Sequence, residues 1–156
     1  MSVAHRNRDV VEQVHAAPGS RPVMLVTFDV PVRADAAELA VDAAVESGQQ
    51  LLLVNMVELS IRPMTSSWGS ETVVLEDVES SLRAPAELAH SLAVSVEWLR
   101  VVSPRPTTAL LELVGERLPG LLVLGADTSR FRGRRYRKVA RRIRERATCL
   151  VWIPDE

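Results

Sequence analysis

Apolar positions along the chain fall into five short runs separated by stretches with a helical repeat. Val23-Met24-Leu25-Val26-Thr27-Phe28 is almost wholly apolar, the pattern of a strand covered on both faces, and it ends at Asp29 with Pro31 just beyond. Leu51 to Val57, Val96 to Val102, Leu121 to Leu124 and Cys149 to Ile153 repeat the pattern. After the first run, Asp35 stands three residues before Glu38, a capping-box spacing. Ala37, Ala40, Val41, Ala44 and Val45 then supply a helical stripe that Gly48 stops. In the next crossover Val78, Leu82, Pro85, Ala89, Leu92 and Val96 recur at helical spacing, and Pro85, which has no amide proton, is expected to kink or split that helix. Thr108 to Leu118 predicts a third helix, with Leu110, Leu111, Val114 and Leu118 inward and Pro119-Gly120 as its stop. Tyr136, Val139, Ala140, Ile143 and Ala147 form the apolar face of a fourth. Residues 1–20 carry neither period, which predicts a loosely attached or disordered arm before a single domain over 21–156.

Strands joined by helical crossovers pair in parallel, because a parallel neighbour needs a connection of that length. The expected fold is a doubly wound α/β/α sandwich, a five-stranded parallel sheet with helices on both faces. Ligands of such sheets bind beyond the carboxyl ends of the strands, where the strand order reverses. Asp29, after the first strand, and residues 125–135, after the fourth, are therefore the places to look.

Composition narrows the chemistry. With 156 residues, of which 47% are hydrophobic and 25% charged, the chain has the make-up of one soluble domain. Its apolar runs stop far short of the roughly 18 residues that cross a bilayer, so no membrane contact is expected. Arg6, Arg8, Asp9 and Glu12 interrupt the start, which argues against a secretory signal and for a cytoplasmic location. The single cysteine, Cys149, excludes an internal disulfide and reads as a core thiol. His5, His15 and His90 are too scattered for a triad or a metal cluster, so no catalytic residue and no metal site is expected. The formal charge of −1 hides an asymmetry: residues 130–146 hold nine arginines and Lys138 against Glu145. That segment is +9, and the remainder is −10.

The strand Val23 to Asp29, together with Leu121 to Pro154, LLVLGADTSRFRGRRYRKVARRIRERATCLVWIP, resembles a universal stress protein domain over about residues 21–154. The resemblance implies strand order 3-2-1-4-5, homodimers through the last strand, and regulation linked to stress without a settled reaction. Nucleotide-binding members carry G-x2-G-x9-G-[ST] after the fourth strand, where glycines admit backbone amides close to phosphates. Of that motif Gly125 is kept; Thr128 stands at the second glycine and Lys138-Val139 at the final pair, or Arg137-Lys138 when aligned back from Cys149. After Asp29 the family's small Gly-Ser pair is Val30-Pro31. Asp29, Gly125, Thr128 and Lys138 are thus the vestigial cofactor positions, with Asp29 open to two readings, ligand contact or turn residue.

Three functions follow as expectations. In the first, a non-catalytic stress-response module without ATP acts through dimerisation and protein contacts, its interface formed by Val151, Trp152 and Ile153 on an edge strand that needs covering. In the second, ATP or AMP binds and an anion patch of Arg130, Arg132, Arg134, Arg135 and Arg137 replaces the glycine cradle. In the third, the same basic segment binds nucleic acid. It ranks last, since the segment lacks a recognised binding motif and the rest of the chain repels polyanions.

Overall fold

The computed structural model describes residues 5–7, 20–59, 68–131 and 133–154, with the side chains of 5–7 and 68–75 outside that description. Its elements are β1 (His5–Asn7), β2 (Val23–Thr27), α1 (Ala34–Ser47), β3 (Leu51–Glu58), α2 (Trp68–Ser91), β4 (Val96–Ser103), α3 (Pro106–Arg117), β5 (Leu121–Leu124), α4 (Gly133–Arg146) and β6 (Leu150–Trp152). The sheet runs β1-β4-β3-β2-β5-β6. Counted from β2, its five parallel strands have the order 3-2-1-4-5 implied by the resemblance. The sixth strand was not expected: His5–Asn7, within the segment read as a loose arm, pairs antiparallel with Arg100–Val102 of β4. Apart from His5–Asn7, the arm residues before Ser20, His15 among them, lie outside the described residues.

β2 is buried at all five positions because helices cover both of its faces. Successive side chains alternate between two cores. Val23 and Leu25 join Ala36, Ala40, Val41 and Ala44 of α1 and Val78, Leu82 and Ala89 of α2. Met24 and Val26 join Leu110, Leu113 and Val114 of α3 and Tyr136, Ala140 and Ile143 of α4.

Several local expectations are corrected. The first helix begins one residue before Asp35, with Arg33 as N-cap and no side-chain cap. Asp35 instead accepts the amide of Ala36 (2.9 Å) and the Arg33 guanidinium (2.6 and 3.0 Å), so the capping box with Glu38 does not form. Val45 lies at the stripe's exposed margin, and Ala36 takes its place in the core. Gly48 does end α1, in the left-handed conformation (φ 65°) that glycine adopts without strain. α2 continues through Pro85. An interior proline costs about 3 kcal/mol, whereas burying Val78 and Leu82 contributes roughly 1.5–3 kcal/mol each, so packing holds the helix together. Leu92 is exposed beyond its end. In α3, Leu113 is buried, and Leu118, in a left-handed C-cap (φ 47°), is exposed. No described helix is long and apolar enough to cross a membrane.

Candidate functional site

The strand order reverses between β2 and β5, so the loops that follow them leave for opposite faces, α1 on one side and α4 on the other. Here the two loops are tied together by main-chain bonds. The Gly125 amide donates to the Val26 carbonyl (2.8 Å), the Arg33 amide to the Gly125 carbonyl (2.8 Å), and the Asp127 amide to the Pro31 carbonyl (2.9 Å). Val32 and Ala126 form an antiparallel bridge in the middle. Gly125 is a packing residue at this point. A Cβ built on it would stand 2.8 Å from Leu25 Cδ1, closer than real Cβ contacts, and 3.0 Å from Val32 Cγ1, tighter than most, so those side chains would have to shift.

Aromatic rings occupy the α4 side of the crevice. Phe28, one residue past β2, lies 5.8 Å from Phe131 of the β5–α4 loop, and Phe131 meets Tyr136 of α4 edge-on at 5.9 Å. All three are buried and belong to the core beneath α3 and α4, with Val30 packed against them. The loop is preset for this. Asp127 accepts the amide and hydroxyl of Ser129 through its side chain, and the amides of Arg130 and Phe131 through its carbonyl, a turn that carries Phe131 inward.

Polar groups at the strand ends are committed to the protein itself. Asp29 has a left-handed backbone (φ 56°), a conformation tolerated by Asp, and its amide donates to Asn55 Oδ1 at 2.8 Å. The buried Thr27 hydroxyl donates to the Val30 carbonyl. At the rim, Arg135 pairs with Glu58 at the end of β3 and lies 5.8 Å above the Phe131 ring, while Arg130 pairs with Asp77 of α2 at 3.4 Å. Arg33 holds the Asp35 carboxyl below the ordinary carboxylate range through their hydrogen bonds. Burial raises the Cys149 thiol, which packs against the α3–α4 core just before β6. Among the described residues no three His, Cys, Asp or Glu side chains gather as a metal site.

The candidate residues are thus dispersed. Asp29, Gly125 and Thr128 share the loops at the switch point, Thr128 half-buried in the Asp127 turn. Lys138 is exposed two residues past Tyr136, on the far side of α4 from that buried ring. Arg134 is exposed at the start of α4, Arg137 lies on its outer flank, and Arg132 is outside the described residues. Ile153 is buried in the α3–α4 core, Trp152 packs toward the α1–α2 core, and Val151 is half-buried. Sequence reasoning passed over Phe28 and Phe131 as site residues, and Asn55 also. The available signals were one amide within the apolar run Leu51–Val57, and two aromatics, Phe131 and Tyr136, set among arginines.

An α/β/α domain with five parallel strands and its crevice at the β2–β5 switch point defines the class of protein. Residues 19–153 match the family model described as the universal stress protein family, and the chain belongs to that family. No curated protein sequence matches it significantly. A universal stress family protein from Burkholderia pseudomallei has a similar structure, with TM-score 0.63 and 17% identity over 89% of this chain and 100% of that one. Another is the Archaeoglobus fulgidus universal stress protein in complex with dAMP, at TM-score 0.57 and 17% identity over 85% and 96% of the two chains. A third is an Arabidopsis thaliana family protein with AMP bound, at TM-score 0.53 and 19% identity over 85% and 90%.

Proposed function

We propose that this universal stress protein is a non-catalytic regulatory module that lacks the family's phosphate cradle and works through protein contacts, including contacts with a second copy of itself. The carrying observation is the Phe28-Phe131-Tyr136 cluster, which puts the chain's own rings on the α4 side of the switch point. Relatives with AMP or dAMP bound make nucleotide the alternative ligand. For arginines to replace the cradle here, Arg130 and Arg135 would have to leave Asp77 and Glu58 for a phosphate. Calorimetry with magnesium-ATP and with AMP separates the readings: no saturable heat is expected, and one-to-one binding would establish the nucleotide-responsive reading instead.

Self-association is assigned to β6, which among the described strands ends the sheet and pairs only with β5. Leu150 on it is 75% exposed. An open edge of this kind is a template for another strand. Val151→Lys is expected to turn a sedimenting dimer into a monomer; a wild-type chain that sediments only as a monomer would remove dimerisation from the account.

A further inference from the structure

The two helix layers carry opposite charge. α1 and α2 cover the face of the sheet that Val23 and Leu25 enter, and α3 and α4 cover the other. On α1, Asp35, Glu38, Asp42 and Glu46 form an exposed row at i, i+3, i+7 and i+11, and the helix holds no basic residue. From Glu76 to Ser91, α2 adds four exposed acids against Arg83. The described side chains of this layer therefore total −7. Across the sheet, α4 presents seven exposed arginines and Lys138 against Glu145, and α3 holds Glu112 and Glu116 against Arg117, for a total of +6. Contacts inside a layer, such as Arg141 with Glu145, are already cancelled in these totals. Four charges pair outside their layer: Asp35 with Arg33, Asp77 with Arg130, Arg117 with Glu97 and Arg135 with Glu58. Setting them aside leaves −5 on one face and +4 on the other, a dipole across a chain whose net charge is only −1.

We propose that a second copy of the chain stacks on this one face to face, its basic α3–α4 layer against the acidic α1–α2 layer. The facing helices match in length. α1 and α4 have 14 residues each, about 21 Å, and their charged side chains share the helical repeat. Guanidinium groups suit carboxylates, which they can grip through two hydrogen bonds. A second copy also answers both faces, whereas a nucleic acid would meet one layer and be repelled by the other. Because the net charge is near zero, two copies approach with little overall repulsion. The contact joins different surfaces, so each added copy leaves one acidic and one basic layer open, and the stack can grow beyond two. It runs perpendicular to the sheet, leaving the β6 edge clear. This inference rests on the reading that the chain works through contacts with copies of itself, on a surface other than β6.

The test is sedimentation equilibrium of the full chain carrying Val151→Lys, which removes the β6 contact. At about 10 mM salt, where charges act over about 30 Å, the average mass should rise with concentration to about twice the 17.2 kDa of one chain or more. At about 1 M salt, where the range is about 3 Å, it should fall back to one chain. Two triple variants in the same background locate the faces: Glu38→Lys with Asp42→Lys and Glu46→Lys, and Lys138→Glu with Arg141→Glu and Arg144→Glu. Each brings one layer close to neutral and should stay monomeric at low salt. Mixed in equal amounts, they offer one intact acidic and one intact basic layer and should form pairs that grow no further, which misfolded variants would not do. A mass indifferent to salt, a triple variant that associates as strongly as its parent, or a mixture that stays monomeric would each overturn the proposal. The β6 contact is read separately, from the wild-type chain at 1 M salt.

Discussion

The switch-point crevice and the outer face of α4 draw on the same basic segment and use it in different ways. At the crevice, main-chain bonds join the two loops, Phe131 points inward, and Arg130 and Arg135 pair with carboxylates of other elements. At the outer face, the arginines and Lys138 of α4 are exposed, on the side of the sheet away from the acidic row of α1. A high local charge therefore does not by itself mark where an anion binds. Arg130 and Arg135 each face a partly exposed carboxylate of another element, and Arg141 faces Glu145 of its own helix, so the contacts differ in what they tie together and not in exposure. The segment's +9 charge is consistent with either use, and the fold decides which residues serve which.

The largest expected effect lies in the crevice. Phe131→Ala removes a buried ring that contacts two others, and should destabilise the chain by about 3 kcal/mol in urea unfolding. A loss below about 1 kcal/mol would mean that the ring is a surface residue in solution. Gly125→Ala comes next. Its Cβ would press on Leu25 and Val32 in a filled core, for an expected loss of about 2 kcal/mol. An unchanged midpoint would show that the loops have slack there, and would reopen the case for a ligand between them.

The smallest effect concerns pH. Because Arg33 depresses the Asp35 carboxyl in the folded chain, the pair's contribution is present above the carboxyl's unfolded pKa of about 3.9 and is lost as pH falls through the lower folded value. Asp35→Asn should therefore lower stability slightly at neutral pH and flatten the acid side of the profile. With Asp35 half-exposed, the change should be a fraction of a kcal/mol. A profile of unchanged shape would show that the contact does not persist in solution.

The central strands were legible in the sequence because burial on both faces demands continuous apolar runs, and Leu51–Val54 or Leu121–Leu124 fit little else, whereas β4 and β6 are only partly buried and followed from the alternation of strands with helices. β1 was not legible. A three-residue edge strand of His5, Arg6 and Asn7 has no apolar requirement, since what defines it is pairing with β4. Pro85 misled because its local cost is set against the burial of residues up and down the same helix, which propensity does not count. At the site, Asp29 and Gly125 were located from strand ends alone, but the reason for Gly125 lies in Leu25 and Val32, far away in sequence. In the sequence Phe131 is no more than an aromatic between arginines. Its place in the core follows from the Asp127 turn and from Phe28, a contact across more than a hundred residues. The arginines looked like a single patch because sequence gives their number and not their partners.

Amide chemical-shift mapping shows whether the protein's own side chains fill the crevice. Millimolar AMP, and then magnesium-ATP, would be titrated into the labelled full chain while the amides of Gly125, Ala126, Asp127, Thr128 and Phe131 are followed. These five resonances are expected to stay where they are. Saturable shifts confined to them would contradict this, showing that the rings give way and that nucleotide enters at the switch point.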